Sequence, residues 1–301
     1  MDLPDCQSEA PGLTVIIPAC NEEGGVAGVV EAVKRILPGT LADLDLAGDA
    51  WEVIVVDDGS SDTTALKAAE AGARVIAHRQ NIGYGAALKT GLRRAKFDTI
   101  VITDADSTYP VEEIPALVAL LRQADMAVGS RTGAEVHIPT VRRPAKWLLK
   151  QTAQFLAGQK IPDLNSGLRV FRRADALRFH SLYPRGFSFT TTITLAYLSS
   201  DLLVAYHPIN YNPRTGKSKI RPIRDTKNLF LTVIRSILLF NPLRVCIPLG
   251  TALVALALVI AIGPRDAHGN IYDGTITILI VCALQIIIVG FLADILARLR
   301  R

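Results

Sequence analysis

Two stretches near the C-terminal end of the chain carry no charge at all, one between Arg244 and Arg265 and one between Asp273 and Asp294. Each is about twenty residues long, and at ~1.5 Å rise per residue a helix of that length crosses roughly the 30 Å hydrocarbon core of a bilayer. Uncharged runs of this length are seldom needed in a soluble core, so two membrane helices are expected in preference to two buried core helices. The link GPRDAHGNIYDG allows only a tight hairpin, which puts both flanks on one side. Those flanks are basic: from Arg214 to Arg244 eight Lys/Arg face the single acid Asp225, and the chain ends RLRR, whereas in the link Arg265 is opposed by Asp266 and Asp273. By the positive-inside rule the large N-terminal part and both termini face the cytoplasm. The opening MDLPDCQSEAPG lacks the charged-then-apolar pattern of a signal peptide, in keeping with that orientation.

A net charge of +5 on 301 residues could suggest nucleic acid. Here the positive residues crowd beside the apolar stretches, where anionic headgroups or a lipid phosphate are the nearer partners, and no nucleic acid is expected. Cys6, Cys20, Cys246 and Cys282 are scattered without metal-like spacing and read as inert thiols in a reducing compartment.

The first two hundred residues alternate short apolar runs with amphipathic segments. Residues 13–18 (LTVIIP), 51–56 (WEVIVV), 74–77, 99–103 and 126–128 read as strands, and residues 24–37, 63–71, 85–95 and 111–123 as helices. Strand-helix alternation with near-continuous Val/Ile runs predicts a mostly parallel sheet covered on both faces. Ligands of such sheets sit beyond the carboxyl ends of the strands. Polar residues fall there: Asn21 and Glu22 after the first strand, Asp57 and Asp58 after the second, Asp104 and Asp106 after the fourth. Beyond Gly129 the pattern loosens into a loop to Arg143 that is expected to be mobile over the site, a helix over 144–157, a helix near 190–199 and a strand over 203–207. In residues 225–241, Leu229, Val233, Ile237 and Phe240 recur at helical spacing; such a helix either lies flat in the membrane interface or packs on the soluble part. The expected division is an N-terminal tail (1–12), a cytoplasmic α/β domain (13–224), an amphipathic helix (225–242) and a membrane hairpin with a basic tail (243–301).

The stretch VITDADSTYP carries the most chemistry. An apolar strand runs straight into Asp104-Ala105-Asp106, two carboxylates one residue apart. Hard cations such as Mg²⁺ or Mn²⁺ choose oxygen ligands, and such a pair can hold one while leaving positions for a diphosphate. Asn81, Gly83 and Gly85 open a helix, where glycine permits close approach of a ligand and the helix N-terminus favours anions.

VIIPACNEEG, VVDDGSSDTT, RQNIGYGAALKTG, TDADSTYP, DLNSGLRVFRR and YNPRTGKSKI stand in the order and spacing of family 2 glycosyltransferases. From about Leu13 to Pro242 the chain resembles, within that family, the polyprenol-phosphate glycosyltransferases, which include dolichol-phosphate mannose synthases and bacterial undecaprenyl-phosphate hexosyltransferases; its two-helix anchor matches the bacterial members. The resemblance implies an α/β fold of GT-A type: a mostly parallel sheet with helices on both faces, followed by an interfacial helix and a two-helix transmembrane hairpin.

It also implies roles. Pro18, Ala19, Asn21, Glu22, Asp57 and Asp58 would line the base and ribose pocket, where carboxylates accept hydrogen bonds from a ring N–H or sugar hydroxyls. Glu22 and Glu23 also suit a helix N-terminus, and DDGS a plain turn. Asn81, Gly85, Lys89, Asp104 and Ala105 would complete the nucleotide-sugar site, with Asp104 and Asp106 on the metal. In many mannose synthases a glutamine follows that motif, whereas Ser107-Thr108-Tyr109 follows here, which leaves the donor base and sugar open. Asp106, Asp163 and Arg169 are the expected catalytic residues: Asp163 lies near the acceptor, able to act as a base if the phosphate carries a proton, and Arg169 positions phosphate or carboxylates. Arg131, Arg142, Arg143, Ser166, Arg214, Ser218 and Lys219 would meet the acceptor phosphate, arginine bidentately and lysine as a point charge.

The implied reaction is direct displacement, with inversion, of a nucleoside diphosphate from GDP-mannose or a UDP-hexose by polyprenyl phosphate. Homo-oligomers stay open. A processive polysaccharide synthase would usually show a QxxRW-like segment and more membrane helices. A non-catalytic nucleotide-sugar-binding protein would not need Asp104, Asp106, Asp163 and Arg169 together, and a nucleotidyltransferase would not need the anchor.

Overall fold

In the computed structural model, which describes residues 10–42, 47–132, 151, 154, 160–186, 188–212, 242–263 and 273–299, the Val/Ile runs become the strands of one sheet. Its strands are β1 (Ala10–Ala19), β2 (Trp51–Asp57), β3 (Arg74–Ala77), β4 (Phe97–Ile102), β5 (Met126–Ser130), β6 (Arg169–Arg172) and β7 (Val204–Pro208), in the order β3-β2-β1-β4-β6-β5-β7. β1 is parallel to β2 and β4, β2 to β3, and β5 to β7, while β6 is antiparallel to both β4 and β5. Every strand except β6 therefore runs one way, as the sequence pattern requires. β6 was not expected: four residues bounded by arginines give too short an alternation to read.

Period-2 alternation divides the strands between two cores. Leu13, Val15 and Ile17 of β1, with Val53, Val55 and Val101, face one side, where α1 (Val26–Ala42) lays Val26, Val29, Val30, Val33 and Leu37 on them at helical spacing. Ile16, Ile54, Val56, Ile100 and Ile102 face the other, against Leu88 and Leu92 of α3 (Tyr84–Arg94). Helices cover both faces, so the strands need no polar side. Between α1 and α3 lies α2 (Thr64–Glu70). The helix expected over 111–123 splits into a 3₁₀ turn, Val111–Glu113, and α4 (Ile114–Leu120), with Pro115 in the first turn of α4. α5 (Arg173–Arg178) follows β6.

α6 (Phe189–Ser199) is helical despite its run of threonines. It is buried from Phe189 to Leu198, and the Thr192 and Thr194 hydroxyls donate to the carbonyls of Ser188 (3.0 Å) and Thr190 (2.8 Å), so burial and back-bonding override weak propensity.

Two further helices, α7 (Leu243–Ile262) and α8 (Asp273–Leu299), are long and apolar enough to cross a bilayer, and only 11% of the apolar window of each is buried, unlike the core helices of a soluble protein. They pack through small residues. A Cβ on Gly250 would fall 2.6 Å from Ile287, and one on Gly290 would fall 2.5 Å from the Cys246 Cβ. Val245, in the first turn of α7, packs on a small cluster of Ile161, Leu164, Leu195 and Leu198. Of the helix expected over 144–157 only Gln151 and Gln154 are described, both helical. The loop over 133–143 and the amphipathic stretch 225–241 lie outside the described residues.

Candidate active site

The parallel strands end on one edge, and their loops tie to one another there. Asn21 follows β1 with φ at +51°; its N–H donates to Ser60 Oγ (2.8 Å) and its Oδ1 accepts the Ser61 N–H (2.8 Å). Glu22 N–H donates to Thr64 Oγ1 (2.9 Å), and Glu23 Oε2 accepts the Thr63 hydroxyl (2.6 Å). Those Thr63 hydrogen bonds hold the Glu23 carboxyl below its usual range. Pro18 and Ala19 are buried at the strand end, and the Ala19 carbonyl accepts the Asp58 N–H (2.8 Å). Asp57 accepts from the Ser60 N–H and hydroxyl.

Asp58, 3% exposed, builds the next loop. Its Oδ1 pairs with His78 Nδ1 (2.7 Å) and accepts the Ile82 N–H (3.0 Å), and its Oδ2 accepts the Gly83 N–H (2.8 Å). His78 is held from behind by Thr90 Oγ1 (3.0 Å). No sequence motif marks His78, whose one local signal is its place just after β3. A cleft of about 550 Å³ lined by Ala77, His78, Arg79, Gln80 and Ile82 opens beside this loop, and its lining includes neither Asp104 nor Asp106.

Past β4 come the paired carboxylates. Tyr84 donates its hydroxyl to Asp104 Oδ1 (3.0 Å); burial, then the Asp104 charge, keep that phenol well above its usual pKa and hence protonated. Asp106, 7% exposed, accepts the Thr108 N–H (3.2 Å) and hydroxyl (2.6 Å) at Oδ1, a turn that Ser107 completes with φ at +58°. A Cβ on Gly167 would fall 2.9 Å from Asp104 Oδ2, so only glycine leaves that carboxylate its room. Carboxylate oxygens fixed this way suit a hard cation. Among the described residues no group of three or more His, Cys, Asp or Glu could hold a metal, so other ligands would come from water and a diphosphate, as Mg²⁺ sites commonly arrange. Ala105, between the two, is buried.

Because β6 runs against its neighbours, the chain before it, residues 160–168, reaches the same edge. Asp163 there takes Arg131 bidentately, Nε to Oδ2 at 2.7 Å and Nη2 to Oδ1 at 2.9 Å, and accepts the Asn165 N–H at 3.0 Å. Burial opposes the charged form of Asp163, but the hydrogen bonds and charge of Arg131, with the Asn165 N–H, prevail and hold its carboxyl down at about 2. Asp163 is thus held as an anion paired with Arg131 in the folded chain.

Three expectations meet a different geometry. Arg169 is fully buried, and donates to the carbonyls of Ser166 (2.7 Å) and Leu164 (3.0 Å) and to Thr194 Oγ1 (2.6 Å). It positions the loop ahead of β6 and is walled off from any phosphate. Lys89 donates to the Tyr183 carbonyl (3.3 Å), and burial followed by Arg93 and Arg185 lowers its pKa. The room at Gly85 is taken by the protein itself: a Cβ there would fall 2.2 Å from the Pro184 carbonyl oxygen, and the Ala86 N–H in the first turn of α3 donates to the Arg185 carbonyl (3.0 Å). Asn81 donates to Cys20 Sγ (3.2 Å), and Ser166 Oγ, buried, has no hydrogen-bond partner among the described residues. Arg142, Arg143, Arg214, Ser218 and Lys219 lie outside the described residues.

The model of the glycosyl transferase family 2 domain matches residues 14–178, more than half of the chain. Among curated proteins the chain is 36% identical over 222 residues to the low-salt glycan biosynthesis hexosyltransferase Agl6 of Haloferax volcanii, covering 72% of this chain and about half, 51%, of that longer protein. It is 30% identical to a dolichyl-phosphate hexose transferase of the same organism, over 70% of this chain and 87% of that one. Among solved structures, glucosyl-3-phosphoglycerate synthase of Mycobacterium tuberculosis, crystallised with Mn²⁺, uridine diphosphate and phosphoglyceric acid, superposes with a TM-score of 0.58 at 21% identity, over 76% of this chain and 78% of that one. The sheet with its acid-lined edge is of GT-A type. The chain belongs to glycosyl transferase family 2.

Proposed function

We propose that this protein is a membrane-anchored, inverting glycosyltransferase that moves a hexose from a nucleotide sugar, GDP-mannose or a UDP-hexose, to a polyprenyl phosphate. The observation that carries the reading is the packing of Val245, in the first turn of α7, on Ile161 and Leu164, which flank Asp163. The Arg131–Asp163 end of the site thus lies where the apolar helices begin, where a lipid phosphate would be presented. The names of the relatives, a dolichyl-phosphate hexose transferase among them, support the same acceptor class.

Asn21, Glu22 and Asp57 would line the nucleoside pocket, with Asp58 holding the loop at 78–83 beside it, and Asp104 and Asp106 would face the diphosphate. Mg²⁺ or Mn²⁺ held by those two carboxylates would supply neutralisation of charge on the departing diphosphate. A lipid phosphate is largely dianionic near neutral pH, so its oxygen can attack the anomeric carbon without a strong base. Arg131 orients that phosphate, and positioning with charge neutralisation supplies most of the acceleration. The basic flanks put the catalytic part and both termini on the cytoplasmic side.

The test is to incubate membranes containing the full chain with a panel of nucleotide sugars, polyprenyl phosphate and Mg²⁺ or Mn²⁺, and to identify the lipid by mass spectrometry. A polyprenyl-phosphate hexose with release of nucleoside diphosphate is the expected product. Absence of any lipid-linked sugar with every donor would overturn the reading.

A further inference from the structure

One contact at the acceptor end has no part in that scheme. The Arg131 guanidinium carbon lies 5.2 Å from the centroid of the Tyr211 ring, just beyond β7, while Nε and Nη2 of the same guanidinium are taken by Asp163. Among the described residues Nη1 has no hydrogen-bond partner. The ring that covers Arg131 is itself braced. Tyr211 meets Tyr109 edge-on, with centroids 5.3 Å apart and planes at 73°, and the neighbouring Asn212 N–H donates to the Thr108 carbonyl at 2.9 Å. Tyr109, 4% exposed, in turn accepts the Gly167 N–H at its hydroxyl (2.7 Å).

A guanidinium is planar, with its donors in a fixed fork. Two of its three nitrogens are fixed by one carboxylate, and its face is fixed by a π system whose negative quadrupole attracts the cation. The edge left to grip an anion is then Nη1. Without the ring, Arg131 could swing about the Asp163 carboxylate, and the direction of that edge would be lost.

We propose that Tyr211 is a positioning residue for acceptor recognition: it holds the face of Arg131 so that Nη1 is presented to the phosphate of the lipid. This rests on the function proposed above and names a residue that the motif reading did not single out. The working part is the ring face, so the hydroxyl of Tyr211 is dispensable.

The experiment uses the full chain in detergent and titrates farnesyl phosphate by calorimetry, with uridine and guanosine diphosphate plus Mn²⁺ titrated separately. Tyr211→Leu is expected to weaken farnesyl phosphate about tenfold, within the range a cation–π contact supports, with nucleotide affinity unchanged and KM for the lipid raised more than kcat falls. Tyr211→Phe is expected to bind farnesyl phosphate within about twofold of the wild type, since it keeps the ring. Should Tyr211→Leu lose its thermal transition, Tyr211→Met fills the space without a π face and serves in its place. Equal loss in the Phe and Leu variants, equal loss of nucleotide and lipid binding, or no loss of lipid binding overturns the assignment while the proposed function stands. A wild-type chain that binds no lipid phosphate removes that function and the assignment with it.

Discussion

At the proposed donor end, Asp57, Asp58 and Asp106 accept hydrogen bonds from backbone N–H groups, hydroxyls and one histidine, whereas at the proposed acceptor end Asp163, besides two backbone N–H groups, takes one guanidinium bidentately. The donor loops are held by hydrogen bonds, a few within one turn, as Asp57 to Ser60 and Asp106 to Thr108, and others between separate loops, as Asn21 to Ser60 across 39 residues. The acceptor end is held by an ion pair across 32 residues of chain and by rings from two further segments. A charge pair removed from water is costly to break on one side, because the surviving charge stays buried, while a lost hydrogen bond to a carboxylate costs less. The two ends should therefore fail differently when cut.

The largest effect is expected from Asp106→Ala, on the order of a thousandfold loss in sugar transfer measured with radiolabelled donor, with Mn²⁺ binding lost and the far-ultraviolet dichroism retained. Retained turnover would remove Asp106 from the donor site. Arg131→Ala should act on stability first, lowering the unfolding free energy in denaturant by about 3–5 kcal/mol as Asp163 is left without its cation. Arg131→Lys, which keeps the charge and loses the fork, should recover only part of that.

Acid sharpens the same contrast. The Asp163 carboxyl is depressed to about 2 in the folded chain against 3.8 ordinarily, so its contribution is complete above the ordinary value and is lost as pH falls from about 4 through about 2. About 2 kcal/mol should disappear over that window, and Asp163→Asn should flatten the slope of stability against pH there. A stability change of similar size is expected from Gly85→Ala, about 1–3 kcal/mol from the clash with the Pro184 carbonyl. A melting temperature unchanged by that substitution would show that the loop at 184–186 yields without cost.

Much of the donor end was legible. Val/Ile runs marked β1 to β4, and the acid pair stood at a strand end because local periodicity and turn chemistry are written in consecutive residues. The acceptor end was less so. β6 is too short to read by alternation, and with it went the reason that Asp163 reaches the site. The resemblance implies that Arg169 positions phosphate or carboxylates; its actual environment is made by α6 and the loop at 164–166, which no local pattern reveals. His78, Tyr109 and Tyr211 act through partners 12 to 102 residues away in the chain.

By itself the sequence determined the first four strands and the helices between them, two apolar helices long enough for a bilayer, and a pair of carboxylates ending the fourth strand, since periodicity, length and charge spacing are properties of neighbouring residues. Tertiary structure alone decided which polar groups face the site and which are consumed within the protein. Asp163 is held by Arg131, Arg169 is sealed under α6, and the helix start at Gly85 is closed by Pro184. The physical reason is that a side chain's hydrogen-bond partners and exposure depend on which distant segments fold against it.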